Sequence, residues 1–274
     1  KDYNISLNEL KTDIIYFGFR LWHLFCSKKK ILNKNSIENF DLIIDLQSKL
    51  RNTLILKQIP TKKFYSPTFN FKFSSENRNF ISTKYNNINI LKNLEKLLDT
   101  EISLIKYDIK SIEKKFFDEA NRLLPKNNYV GFSITQGNEY RKKTWSVGKF
   151  ISIAKKLKEF NKQPVFFVEK KYSQLINKIK MEVENVIFPE LESHLSGPPL
   201  VTALSSKLEK AITIDNGVMH MMSLANIPMV ILFGPTNSKK FAPKKNNINI
   251  LDSKILYNSK DISKITEEDV LNLI

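Results

Sequence analysis

Between Ala211 and Pro243 the chain reads AITIDNGVMHMMSLANIPMVILFGPTNSKKFAP. A β-branched run, Ala211 to Asp215, gives way at once to Asn216-Gly217. A short apolar helix follows, closed by Pro228, and a second apolar strand runs from Met229 to Phe233 before Gly234-Pro235-Thr236. Two strands joined by one helix with almost no loop must lie parallel, the helix forming the crossover. A strand, helix and strand joined this way are the unit of an α/β fold. Such sheets hold ligands beyond the carboxyl ends of their strands. Asp215, Asn216, Gly217, His220 and the Gly234-Pro235-Thr236 turn all fall at that edge.

Asn216 is a good N-cap, leaving the free N–H groups of the helix's first turn facing outward. Gly217 has no Cβ, so an anion can approach those donors closely. His220, about one turn on, adds a hydrogen-bond donor, neutral or cationic. Together they make a seat for a phosphate or diphosphate. Asp215 would repel a phosphate and is assigned to orienting His220, the loop or a sugar hydroxyl. A histidine in a Met-rich helix can also be a satisfied core residue; its company here favours the anion seat over that reading. The chain holds only 7 glycines in 274 residues, so one kept at a strand end is expected to have a backbone reason.

A second strand-loop-helix unit precedes this one. Tyr129 to Ile134 reads as a buried strand, and Phe150, Ala154 and Leu157 mark an amphipathic helix to about Phe160, with Ser146 as its N-cap. The loop between them is long for a strand-to-helix connection and carries Arg141, Lys142 and Lys143. Lys143 can neutralise a leaving diphosphate; Arg141 and Lys142 read as a solvated basic loop. Pro164 opens another apolar strand, Val165 to Val168, with Glu169 at its end to accept from ribose hydroxyls.

The pattern Asp215-x-Gly217-x-x-His220, then a strand and Phe233-Gly234-Pro235-Thr236, preceded by Gly131-Phe132-Ser133 and Lys143-x-Trp145, resembles glycosyltransferase family 9. These are the ADP-heptose:lipopolysaccharide heptosyltransferases and their relatives. A weaker echo is the strand Phe40 to Gln47, FDLIIDLQ. The resemblance implies a GT-B fold, two Rossmann-like domains with parallel sheets facing a cleft. It implies inverting transfer of a heptose from ADP-heptose to a lipopolysaccharide-core-type glycolipid, with no cofactor and no essential metal. Carried over by position, Asp215, Gly217 and His220 belong to the donor-diphosphate motif, with Asn216 where the family more often has Ser or Thr. Lys143 matches the phosphate-contacting lysine, Ser133 and Thr135 fall where hydroxyls lie near the phosphates, and Glu169 matches the acid that binds the adenosine ribose. Lys143, Asp215 and His220 are the candidate catalytic residues, and no general base is identified.

The family opens with a strand and a glycine-rich turn whose aspartate is the proposed base. No such motif occurs here, and the chain begins with Lys1. The expectation is an incomplete N-terminal domain lacking its first βαβ segment. Asp13, Asp41 and Asp45 are nearby carboxylates that no motif marks as the base. A non-catalytic sugar-nucleotide-binding protein of the same fold is therefore the alternative function.

Length allows one large or two modest domains, divided here into an acceptor-side domain, residues 1–125, and a donor-binding domain, 126–274. The first is expected to hold the Asp41–Gln47 strand, a helix over Ser48–Lys57 and a strand at Lys63–Tyr65. Thr68 to Asn93 reads mostly as loop, and Glu113 to Leu124 as a helix leading into the linker. Glu190 to Pro199 is a connection before a helix to about Lys207, and Thr-Glu-Glu-Asp at Thr266 starts a final helix. The net charge of +16 divides evenly, +8 in each part, which argues against a nucleic-acid face and for no nucleic-acid partner. Ile14 to Phe25, IIYFGFRLWHLF, precedes Lys28-Lys29-Lys30. It reads either as an interfacial helix at an anionic membrane surface or as a core helix, and is too short and too charged to span. Cys26 is the single cysteine, consistent with a reducing cytoplasm, and three scattered histidines lack metal-ligand spacing. The expected location is the cytoplasmic face of the inner membrane, with a nucleotide-sugar donor and a lipid-linked saccharide acceptor as partners.

Overall fold

The computed structural model describes residues 19–26, 39–47, 49–76, 90–101, 108–137 and 143–274. Asp13, Arg141, Lys142 and Lys28 to Lys30 lie outside them. The described residues form two compact units, one up to residue 101 and one from residue 108 on.

The first unit contains the parallel pair β1 (Phe40–Ile44) and β2 (Thr61–Tyr65), in register from Phe40 opposite Thr61 to Ile44 opposite Tyr65. Helix α1 (Leu50–Leu56) connects them, and α2 (Ile90–Leu98) follows. Thus α2 begins inside the stretch read as loop. Leu94 and Leu97 lie three apart and are buried with Tyr65 and Phe71, so one face of the helix is core. Of the Ile14–Phe25 segment, residues 14–18 are outside the description and Leu21–Phe25 forms a single 3-10 turn. Its inner side, Leu24 with Phe19 and Cys26, packs on Ile55 and Ile59, and Gln58 Nε2 donates to the Leu24 carbonyl at 2.9 Å.

The second unit is a five-stranded parallel sheet of β3 (Tyr129–Ser133), β4 (Gln163–Phe167), β5 (Leu208–Ile214), β6 (Met229–Phe233) and β7 (Ile248–Asp252), in spatial order β4-β3-β5-β6-β7. Side chains alternate between two cores. Phe132, Ile212, Ile214, Val230 and Leu232 face one core, shared with α4 (Val147–Lys156), α5 (Ser173–Glu182) and Val270. Tyr129, Ala211, Met229, Ile231 and Phe233 face the other, shared with α3 (Lys114–Leu123), α6 (Pro198–Ser205) and α7 (Gly217–Leu224). Burial on both faces is why these strands read as continuous apolar runs.

Helix α3 lies in this second unit, so the contact boundary falls well before residue 125. The helix buries Phe116, Ala120 and Leu123 in the core it shares with α6. Its amphipathic pattern reveals that it packs but not against which sheet. Strand β7 is not among the strands read from the sequence: Ile248 to Ile250 are partly or fully exposed and only Leu251 and Asp252 are buried, as at the edge of the sheet. The chain closes with α8 (Glu267–Leu271), where Thr266 and Asp269 form the expected capping box.

Chain order creates the crevice. From β3 the chain passes to β4 on one side, then returns to place β5 on β3's other side. The carboxyl ends of β3 and β5 therefore flank a topological switch point, where open α/β sheets bind ligands.

Candidate functional site

Asn216 bridges that switch point. Its Oδ1 accepts from the Met219 N–H at 2.9 Å, capping α7. Its Nδ2 donates to Ser133 Oγ at 2.8 Å and to the Thr135 carbonyl at 2.9 Å, both at the end of β3. One amide side chain thus fixes the helix N-terminus and the neighbouring strand end together. Ser133 is fully buried and its hydroxyl engaged by Asn216, so it supports the edge from beneath.

Asp215 and Lys143 form an ion pair, with side chains only 8% and 12% exposed. The Asp215 carboxylate also accepts from Thr236 Oγ1 at 2.7 Å, and the Lys143 ammonium lies 3.4 Å from the Asp215 carbonyl oxygen. Among the described residues, the carboxylate orients the loop lysine and the Gly234-Pro235-Thr236 turn rather than His220. A pair this sheltered is poorly screened, and removing either member strands a buried charge. Lys254 holds the turn from the other side, donating to the Pro235 and Thr236 carbonyls at 2.9 and 3.0 Å.

The β3–α4 loop is pinned at both ends. Trp145 is buried, its Nε1 donating to the Ile265 carbonyl at 2.9 Å and its ring set edge-on to Phe150. Two residues earlier, the Lys143 N–H donates to Gln136 Oε1 at 2.8 Å, and Tyr172 Oη donates to the Gln136 carbonyl at 3.3 Å. Ser146 is the N-cap of α4 by position, without a side-chain capping bond. Gly217 and His220 are exposed on the first turn of α7, and a Cβ on Gly217 would meet no atom within 4 Å. Among the described residues no atom demands glycine there. Glu169 lies beyond the end of β4, exposed and paired with Lys171 at 2.6 Å. It stands beside Glu190, whose carboxyl is raised above its ordinary range by burial and by the charge of Glu169.

A cavity of about 260 Å³, lined by Thr135, Gln136, Trp145, Tyr172 and Leu175, opens on the same edge. A larger one, about 550 Å³, lies near the amino-terminal ends of the strands among Leu157, Phe160, Lys210 and Leu271. That is the edge where parallel sheets do not carry their chemistry. Among the described residues no group of three or more His, Cys, Asp or Glu is placed to hold a metal.

The structure therefore gathers Ser133, Thr135, Lys143, Asp215 and Asn216 into one cluster, with Gly217 and His220 on the helix above it. The sequence reading did not select Gln136, Tyr172 or Lys254. Gln136 and Lys254 act through contacts with neighbouring loops, and no local pattern marks a glutamine or lysine for that task.

The sequence model described as glycosyltransferase family 9 (heptosyltransferase) matches residues 29–271. The chain belongs to that family. No curated protein matches it in sequence. Among solved structures, a glycosyl transferase family 9 protein from Veillonella parvula superposes with a TM-score of 0.61 at 20% identity, over 86% of this chain and 73% of the other. The E. coli heptosyltransferase WaaC with ADP gives 0.57 at 13% identity, over 89% and 75%. The E. coli ADP-heptose lps heptosyltransferase II gives 0.54 at 16%, over 85% and 74%. At these identities the likeness establishes the fold: this glycosyltransferase has parallel α/β sheets of the GT-B class.

Proposed function

We propose that this glycosyltransferase moves a heptose, or a related sugar, from an ADP-sugar to a lipid-linked saccharide, inverting the anomeric centre. The observation that carries the donor assignment is the convergence of Lys143, Asp215 and the Asn216-capped helix at the switch point. The N-terminus of α7 and His220 face the diphosphate, and the Lys143 ammonium turns from Asp215 toward it. As the glycosidic bond breaks, negative charge grows on the leaving diphosphate, and these fixed donors stabilise it. The cavity beside Trp145 and Tyr172 takes the nucleoside, with Glu169 toward the ribose. WaaC, solved with ADP, supports the choice of nucleotide.

The acceptor side is less furnished. Asp45 is buried and its carboxylate already accepts from Thr53 Oγ1 at 2.6 Å, Ser66 Oγ at 2.9 Å and the Gln47 N–H at 3.0 Å. That network locks the loops after β1 and β2 and commits the Asp45 carboxylate to them. Asp41 is exposed and paired with Lys62 at 2.7 Å. Among the described residues, both candidate carboxylates are engaged in this way, which favours, as a second reading, a protein that binds the nucleotide sugar without transferring it. Among the described residues no helix is long and apolar enough to cross a membrane. The exposed Leu21, Trp22 and Phe25 support contact with an anionic membrane surface, where a lipid-linked acceptor resides.

Titration calorimetry with ADP tests the donor site. Lys143→Ala is expected to weaken binding by about 10- to 100-fold, the worth of a charge-assisted contact, and His220→Ala by a smaller factor. His220 is exposed, so its variant keeps the fold; Lys143→Ala is checked by its circular dichroism. Unchanged affinity in both removes the assignment. Product formation from ADP-heptose separates transfer from binding alone.

A further inference from the structure

One side chain joins Gln136 to Lys143, the described residues on either side of the loop. A backbone N–H needs an acceptor, so the Gln136 amide presents Oε1 to Lys143 N, at 2.8 Å. Gln136 is itself only 9% exposed and is held from two sides. Tyr172 donates to its carbonyl at 3.3 Å, and the preceding Thr135 carbonyl accepts from Asn216 at 2.9 Å. On the far side of Lys143, buried Trp145 fixes the chain. The backbone of Lys143 is therefore held on both sides while its ammonium rests on Asp215. Tyr172 also follows Glu169 closely in the connection after β4, so the same glutamine joins the lysine loop to the loop carrying the candidate ribose acid.

We infer that Gln136 is a positioning residue: it clamps the base of the loop so that Lys143 is held at the diphosphate seat before any ligand arrives. A loop tied at its base loses less freedom when its lysine engages an anion. Only the ammonium must then exchange, from the Asp215 carboxylate to a phosphate oxygen. The inference rests on the donor-site reading for its consequence, but the clamp itself is measurable without ligand.

The test uses the full chain carrying Gln136→Met, which keeps the side chain's length and removes the amide acceptor, and Gln136→Glu, which keeps an acceptor oxygen. In ligand-free protein, amide hydrogen exchange at Lys143 is expected to accelerate about 10-fold or more in the Met variant and to stay slow in the Glu variant, with β5 amides unchanged in both. ADP affinity is expected to fall about 3- to 10-fold in Gln136→Met, and by less than about 2-fold when the same change is made in Lys143→Ala. Unaltered exchange at Lys143 in the Met variant overturns the clamp. An equal loss of ADP affinity with and without Lys143 overturns its action through the lysine. If the wild-type chain binds no ADP, the donor reading fails and the exchange measurement still decides the clamp.

Discussion

Two glycines at the same sheet edge are glycine for different reasons. A Cβ on Gly234 would lie 2.7 Å from Ile262 Cβ and 3.1 Å from Ile262 N, so backbone approaches backbone there. Gly234→Ala is expected to cost about 1–3 kcal/mol in chemical unfolding, from overpacking. Gly217 occupies the first position of α7, and among the described residues no atom lies within 4 Å of a Cβ placed on it. Gly217→Ala is expected to leave stability within about 0.5 kcal/mol while weakening ADP binding. An alanine variant that binds ADP as tightly as wild type removes the close approach of an anion from the site's description. The sequence marked both residues through glycine's scarcity, but could not separate packing from access. Asp215 shows the same limit: its identity was legible, whereas its two partners come from distant loops, 72 and 21 residues away.

At the scale of elements, α3 is fastened by charge as well as by its apolar face. Arg122 pairs with Glu119 at 2.7 Å, Ser193 Oγ donates to the same carboxylate at 2.7 Å, and Arg122 also reaches the Glu192 carbonyl. These bonds, the arginine's foremost, lower the Glu119 carboxyl from 4.5 to about 2. A depressed carboxylate stabilises the fold fully above its unfolded value, and that contribution is lost as pH falls through the folded one. Unfolding free energy is therefore expected to drop between pH 4.5 and about 2, and Glu119→Gln to flatten that part of the profile. Arg122 is 55% exposed, so solvent screening limits the difference to about 1 kcal/mol. A variant profile that parallels wild type sinks the attribution. The sequence showed α3 as a helix, α4 by its amphipathic spacing and α8 by its Thr-Glu-Glu-Asp start; it could not say that α3 docks on α6, because a local pattern specifies a face and not a partner.

For the whole molecule, the even spread of a +16 charge matters less than where apolar side chains meet it. In the turn Leu21–Phe25, Leu21 is 66%, Trp22 49% and Phe25 89% exposed, while its inner side is anchored on α1. Arg20 is exposed beside it, and Lys28 to Lys30 follow in the sequence. Binding to vesicles of anionic phospholipid is expected to weaken both in high salt and in the Leu21→Ser, Phe25→Ser double variant, with neutral vesicles bound poorly by all. Equal sedimentation of the variant and wild type with anionic vesicles discards the insertion. Of the segment read as either a core helix or an interfacial helix, the described turn packs Leu24 inward and leaves Leu21, Trp22 and Phe25 exposed.

The sequence by itself determined the parallel sheet, its carboxyl edge, the capped helix and the family. Each of these is written in short-range pattern: apolar runs, an Asn-Gly start, a Phe-Gly-Pro-Thr end. Only the tertiary structure decided that Asp215 holds Lys143 and Thr236, that Asn216 ties α7 to β3, and that Gln136 closes the lysine loop. Those are bonds between segments far apart in sequence, formed because the chain returns across β3 to lay β5 beside it. Periodicity records which side chains leave water; it carries no record of which polar groups then meet.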